Sequence, residues 1–193
     1  MSLEENNENN ENEENKKNIT ILGTNNRYLI KRANQVKTLP KIRAIINKYN
    51  LPMEHMDFNR QLFLLKEIND KVGENNKEKD IIVKEIIKKI SSYKQQDLLK
   101  KHFDENKFIT YDILLEKLIE SNLKCYYCNC EMYILYENVR ELSQWTVDRI
   151  DNTKGHNKDN FVLSCLNCNI KRRTKSSDKF LFTKQLNIVK QGV

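Results

Sequence analysis

Trp145-Thr-Val-Asp-Arg-Ile-Asp-Asn-Thr-Lys-Gly-His-Asn-Lys-Asp-Asn-Phe-Val-Leu-Ser-Cys-Leu-Asn-Cys168 is the stretch on which the fold turns. Trp145 to Asp151 alternates apolar and polar residues, the period of a half-buried strand. Asn152 to Asn160 is polar and contains Gly155, which reads as a loop. Phe161 to Cys165 predicts a second strand, and Leu166 onward predicts a helix through Lys175. The order is strand, loop, strand, helix, with a cysteine pair opening the helix.

That pair has a counterpart upstream. Cys125-Tyr-Tyr-Cys128 and Cys165-Leu-Asn-Cys168 are two CxxC knuckles. Four thiolates so paired suit tetrahedral Zn²⁺, because each short turn aims both sulfurs at one centre. A site closed by four sulfurs leaves no position for water, so the zinc is expected to be structural and to add its binding energy to folding. Cys130 is the odd cysteine. It could replace Cys128 in a Cys-x₄-Cys arrangement, but the two-residue spacing is commoner, and a free thiol beside the knuckle is preferred.

Farther out the chain reads as helical. Lys41 to Ile46 begins a helix, Leu51-Pro52 breaks it, and Leu62, Leu65 and Ile68 recur at helical spacing. Ile82, Ile86, Ile87 and Ile90 do the same beyond a loop at Gly73 to Asn76. Thr110 caps a further helix ending near Asn122, and a short capped helix from Ser177 to Val189 would pack Phe180, Leu181, Leu186 and Val189. These apolar stripes are core, so residues 27–110 reveal little of function.

The chain has 193 residues, of which 38% are hydrophobic, and much of the shortfall sits in residues 1–18. That Asn- and Glu-rich tail cannot offset its ordering entropy and is expected to be disordered. The net charge is +7, yet residues 1–15 carry six Glu and no Lys or Arg. Without them, 34 basic residues face 21 acidic ones, which favours a polyanionic partner. No apolar run reaches membrane-spanning length, and the acidic start is unlike a secretory signal. The expectation is an intracellular, reducing location, where clustered cysteines bind metal rather than form disulfides.

The run Asp148-Arg149-Ile150-Asp151-Asn152, Gly155-His156, Asp159-Asn160-Phe161 and Cys165-Leu-Asn-Cys168-Asn169-Ile-Lys-Arg172 resembles the HNH endonucleases of the ββα-metal fold. The resemblance is greatest to their zinc-binding branches, phage and viral members and endonuclease VII among them. It covers about 50 of 193 residues. It implies that Asp148 and Asn169 hold a catalytic Mg²⁺ (or Mn²⁺), and that Asn160 braces the hairpin. Hard oxygen ligands suit such an ion, which would neutralise charge developing on a phosphodiester. Lys171, Arg172, Arg173 and Lys175 follow the site and would hold phosphates without reading bases.

One position departs from the pattern. Arg149 falls where the family carries its general-base histidine, and a guanidinium is a very poor base. In one account Arg149 grips the phosphate while His156, a metal-bound hydroxide or a nearby tyrosine activates water. In a second the centre is degenerate and only binds nucleic acid; in a third the register is displaced. The expectation is an α+β protein: a tail (1–18), a mainly helical region (19–109) and a zinc-stapled HNH domain (110–193). Its expected activity is metal-dependent hydrolysis of DNA, ahead of RNA, and the alternative is a non-catalytic zinc module that binds nucleic acid.

Overall fold

A computed structural model describes residues 39–73 and 76–186. The expected disordered tail, the basic region up to residue 38, Val189 and Lys190 lie outside the described residues. The chain divides into two compact units, Met1–Leu39 and Pro40–Val193; all described residues but Leu39 belong to the second.

Among the described residues, four α-helices precede the strands: α1 (Ala44–Tyr49), α2 (Phe58–Asp70), α3 (Lys77–Leu99) and α4 (Tyr111–Glu120). Their starts are set by side chains that satisfy orphan amides: Asp57 accepts from the Arg60 N–H, Asn76 from Lys79 and Thr110 from Ile113. The expected break at Leu51-Pro52 falls one residue early, where Asn50 adopts a left-handed conformation (φ 48°). Then come β1 (Trp145–Arg149), β2 (Phe161–Cys165), α5 (Leu166–Arg172) and α6 (Ser177–Gln185). Helix, then a small two-stranded sheet: the protein is α+β.

β1 and β2 are antiparallel, with Trp145 opposite Cys165 and Arg149 opposite Phe161. Leu64, Leu65, Ile81, Ile82 and Ile86 from α2 and α3 share one buried core with Leu114, Trp145, Val147 and Leu163. Each such side chain stabilises the fold by about 1.5–3 kcal/mol. The helical region and the cysteine-bearing segment, read above as two parts, thus share a core. Gln61 on α2 reinforces the joint from a fully buried position: its Oε1 accepts from the Ile134 and Leu135 amides at 2.8 and 3.0 Å.

Three expectations change. β1 is buried on both faces, not half-buried, because α5 covers its polar side (Thr146 and Asp148). α5 ends at Arg172 instead of Lys175, since Arg173 takes φ 53° and turns the chain. Phe180 of α6 is buried as expected, but Leu186, just past the end of that helix, is exposed.

Candidate functional site

The cysteines meet where two tight turns face each other. In the first, Asn129 takes φ 56°, a conformation asparagine tolerates, while its amide donates to the Cys125 carbonyl and the Cys125 amide donates to that of Cys130. This turn swings Cys130 back until its sulfur lies 3.3 Å from that of Cys128. The sulfurs of Cys125, Cys128, Cys130 and Cys165 all lie within 4.8 Å of one another, and these four could hold a metal such as zinc. Cys130 thus lies among the candidate ligands, where spacing alone preferred a free thiol beside the knuckle. Cys168, expected as the fourth ligand, is fully buried beside this group, its amide 3.4 Å from the Cys165 sulfur.

Three of these thiols, Cys125, Cys130 and Cys168, hold their protons more firmly than a free thiol. Sharing a proton with Cys165, together with burial, pushes Cys125 up to about 12; burial and the neighbouring sulfurs do the same to Cys130 and Cys168. A cation entering the cluster must displace protons, so binding should weaken as pH falls.

Past the cysteines, the Thr146 and Asp148 side of β1 packs on the Asn169 and Arg172 side of α5. Asn169 Nδ2 donates to Thr146 Oγ1 at 3.1 Å. Arg172 grips Asp148 with Nε on one oxygen and Nη2 on the other, both at 2.6 Å. Tyr127 adds its hydroxyl to Asp148 at 2.8 Å. Burial pulls the Arg172 pKa down, but the hydrogen bond and charge of Asp148 outweigh it, so the guanidinium is held more firmly protonated.

This arrangement bears on two expectations. Arg172 is 1% exposed and also donates to the Lys175 and Arg149 carbonyls, so it braces the site from inside and presents no face to a phosphate. The oxygens of Asp148 and Asn169 are of the right type for Mg²⁺. As arranged, however, they do not fit it: the Asp148 carboxylate already serves three donors, and a dication would sit against a guanidinium. Lys171, Arg173 and Lys175 are exposed.

Asn160 clamps the loop between the strands. Its Oδ1 accepts from the Asp151 amide at 2.8 Å, while its Nδ2 donates to the Asp151 and Gly155 carbonyls at 3.0 Å each. Arg149 is half-buried, with Nη1 3.0 Å from the Lys154 carbonyl. Tyr127 and Tyr93 are both pushed above the ordinary tyrosine range, chiefly by burial, so neither is suited to accept a proton.

His156, a candidate base in a loop of polar sequence, is only 4% exposed, with Nδ1 2.8 Å from Asp97 Oδ1 and its ring stacked on Tyr93 at 4.5 Å. Burial lowers its pKa despite the pull of Asp97, which favours the neutral ring. Asp97 and Tyr93 were not singled out from sequence. They sit with Lys89 at four-residue intervals on α3, all facing the hairpin: Lys89 Nζ donates to the Trp145 carbonyl, and Tyr93 Oη accepts from the Val147 amide. Polar residues continuing an apolar stripe were the available signal.

No family model matches the chain, and no solved structure matches it. It is similar to an uncharacterized protein of Acanthamoeba polyphaga mimivirus, at 39% identity over 66 residues. That stretch is 34% of this chain and 11% of the viral protein, so the chain spans a small part of its relative's length. Among the described residues no helix is long and apolar enough to cross a membrane.

Proposed function

We propose that the hairpin and α5 form a zinc-stapled HNH-type nuclease centre that hydrolyses phosphodiester bonds in DNA. The observation that carries this reading is the joint placement of three resembling positions: Asp148 near the end of β1, Asn169 facing β1 from α5, and Asn160 clamping the loop between. Zinc would hold the first knuckle to the start of α5. Lys171, Arg173 and Lys175 would then position the phosphate backbone, with Arg149 beside the scissile group.

His156 is the base in this scheme. Its Nε2 takes a proton from water as the water oxygen bonds to phosphorus; the bond to the leaving sugar oxygen breaks, and that oxygen is protonated from solvent. The resemblance implies a catalytic divalent ion at Asp148 and Asn169, but the Asp148 carboxylate is taken by Arg172 and Tyr127 and does not fit one as it stands. Conversion of supercoiled plasmid to nicked or linear DNA by zinc-loaded protein tests the proposal. His156→Ala should lose that conversion while still binding DNA.

A second reading has its own support. With Asp148 closed by Arg172 and Tyr127, the same unit would serve as a zinc module that binds nucleic acid without cutting it. Such a protein would leave every plasmid intact.

A further inference from the structure

Asp97 is a costly residue where it stands. It is fully buried, and it lies in the last turn of the 23-residue helix α3, where the helix dipole disfavours a negative charge. Among the described residues no Lys or Arg pairs with it. Its side-chain hydrogen bonds are both to one residue: the His156 amide donates to Oδ2 at 2.6 Å, and the His156 ring Nδ1 lies 2.8 Å from Oδ1.

The loop is shaped to allow this. A Cβ at Gly155 would lie 2.4 Å from the His102 carbonyl oxygen and 2.8 Å from Asp97 Oδ2, so only glycine lets the chain come this close. Tyr93 stacks on one side of the imidazole. Nε2 has no hydrogen-bond partner among the described residues, yet it is not one of the sealed, unsatisfied side-chain atoms. It is the ring nitrogen left with access to solvent. The charged and titratable groups around the ring are Asp97, Lys100 and Tyr93 from α3 and its end, and Arg149 from β1.

We propose that Asp97 is a positioning residue: it holds His156 as the Nδ1–H tautomer and so leaves Nε2 as the atom that accepts a proton. The role in cleavage rests on the nuclease reading; the tautomer does not. Asp97→Asn is the informative variant. The His156 amide claims the one remaining side-chain oxygen, which turns the new NH₂ toward Nδ1. Nδ1 must then accept, and the proton moves to Nε2. Shape is kept, and the base becomes a donor.

Imidazole ¹⁵N NMR on the zinc-loaded chain reads this directly, with His156→Gln identifying the His156 signals. The expected result is Nδ1–H in the wild type, Nε2–H in Asp97→Asn, and a loss of plasmid cleavage of about 100- to 10,000-fold in that variant. Asp97→Glu, if it restores the Nδ1–H state, should restore part of the rate. A wild type in the Nε2–H state overturns the proposal without any variant. An inverted tautomer with an unchanged cleavage rate overturns the positioning role and leaves the nuclease reading standing. A wild type that shows the assigned tautomer but cuts no DNA overturns the nuclease reading, and the role of Asp97 in cleavage with it.

Discussion

Asp148→Ala is the obvious substitution for removing a metal ligand, and the structure says it will do something else first. Asp148 is 4% exposed and Arg172 1%, and two 2.6 Å hydrogen bonds join them. Breaking a buried ion pair by removing one partner costs about 3–5 kcal/mol, because the other charge stays behind uncompensated. Against a total stability of about 5–15 kcal/mol for a domain, that is a large share. The Lys175 and Arg149 carbonyls would still receive hydrogen bonds from Arg172, but they cannot neutralise it. Asp148→Ala and Arg172→Met should therefore each lower stability by about 3 kcal/mol or more. The double variant should lose clearly less than their sum, since no charge is left buried. Urea unfolding of zinc-loaded protein suits the measurement, because Trp145 is the sole tryptophan and fully buried. Additive effects, or a loss below about 1 kcal/mol in Asp148→Ala, would refute the buried pair. They would mean that the carboxylate is open in solution and free for a metal.

Elemental analysis should find about one zinc per chain, the number a single thiolate cluster holds. Cys130→Ser should weaken it; if Cys130→Ser binds normally while Cys168→Ser loses zinc, the ligands are the two CxxC pairs instead. A third expectation concerns Lys89, which burial and the charge of Arg43 push down from 10.5 to about 7. Between those values the unfolded chain binds more protons than the folded one, so this lysine's contribution rises with pH through that window and is lost as pH falls through about 7. Lys89→Met should flatten the rise in urea stability from pH 7 to 9; parallel curves for the two proteins would show that Lys89 stays charged when folded.

The hairpin and α5 were legible because each carries a local signal: alternation in Trp145 to Asp151, a polar loop with Gly155, and cysteines at helix-opening spacing. The caps at Thr110 and the stripes of α2 and α3 were legible for the same reason. What escaped is what depends on distant parts of the chain. Asp97 looks like a surface residue on a helix until Gly155 brings His156 against it. Arg172 reads as a phosphate contact because nothing in a linear basic run reveals that one member turns inward to Asp148. Cys130 was set aside because a left-handed turn at Asn129 is invisible to a count of spacings.

Cutting and binding measured side by side on the same DNA test the central claim most directly. Zinc-loaded wild type would be incubated with supercoiled, linear and branched DNA, with Mg²⁺, with Mn²⁺ and with neither. The account predicts cleavage of at least one form, lost in His156→Ala, and binding in both proteins that weakens as salt rises. Salt-dependent binding by the wild type with every DNA intact under all three conditions would contradict it, and would leave a zinc-stapled nucleic-acid-binding module in its place.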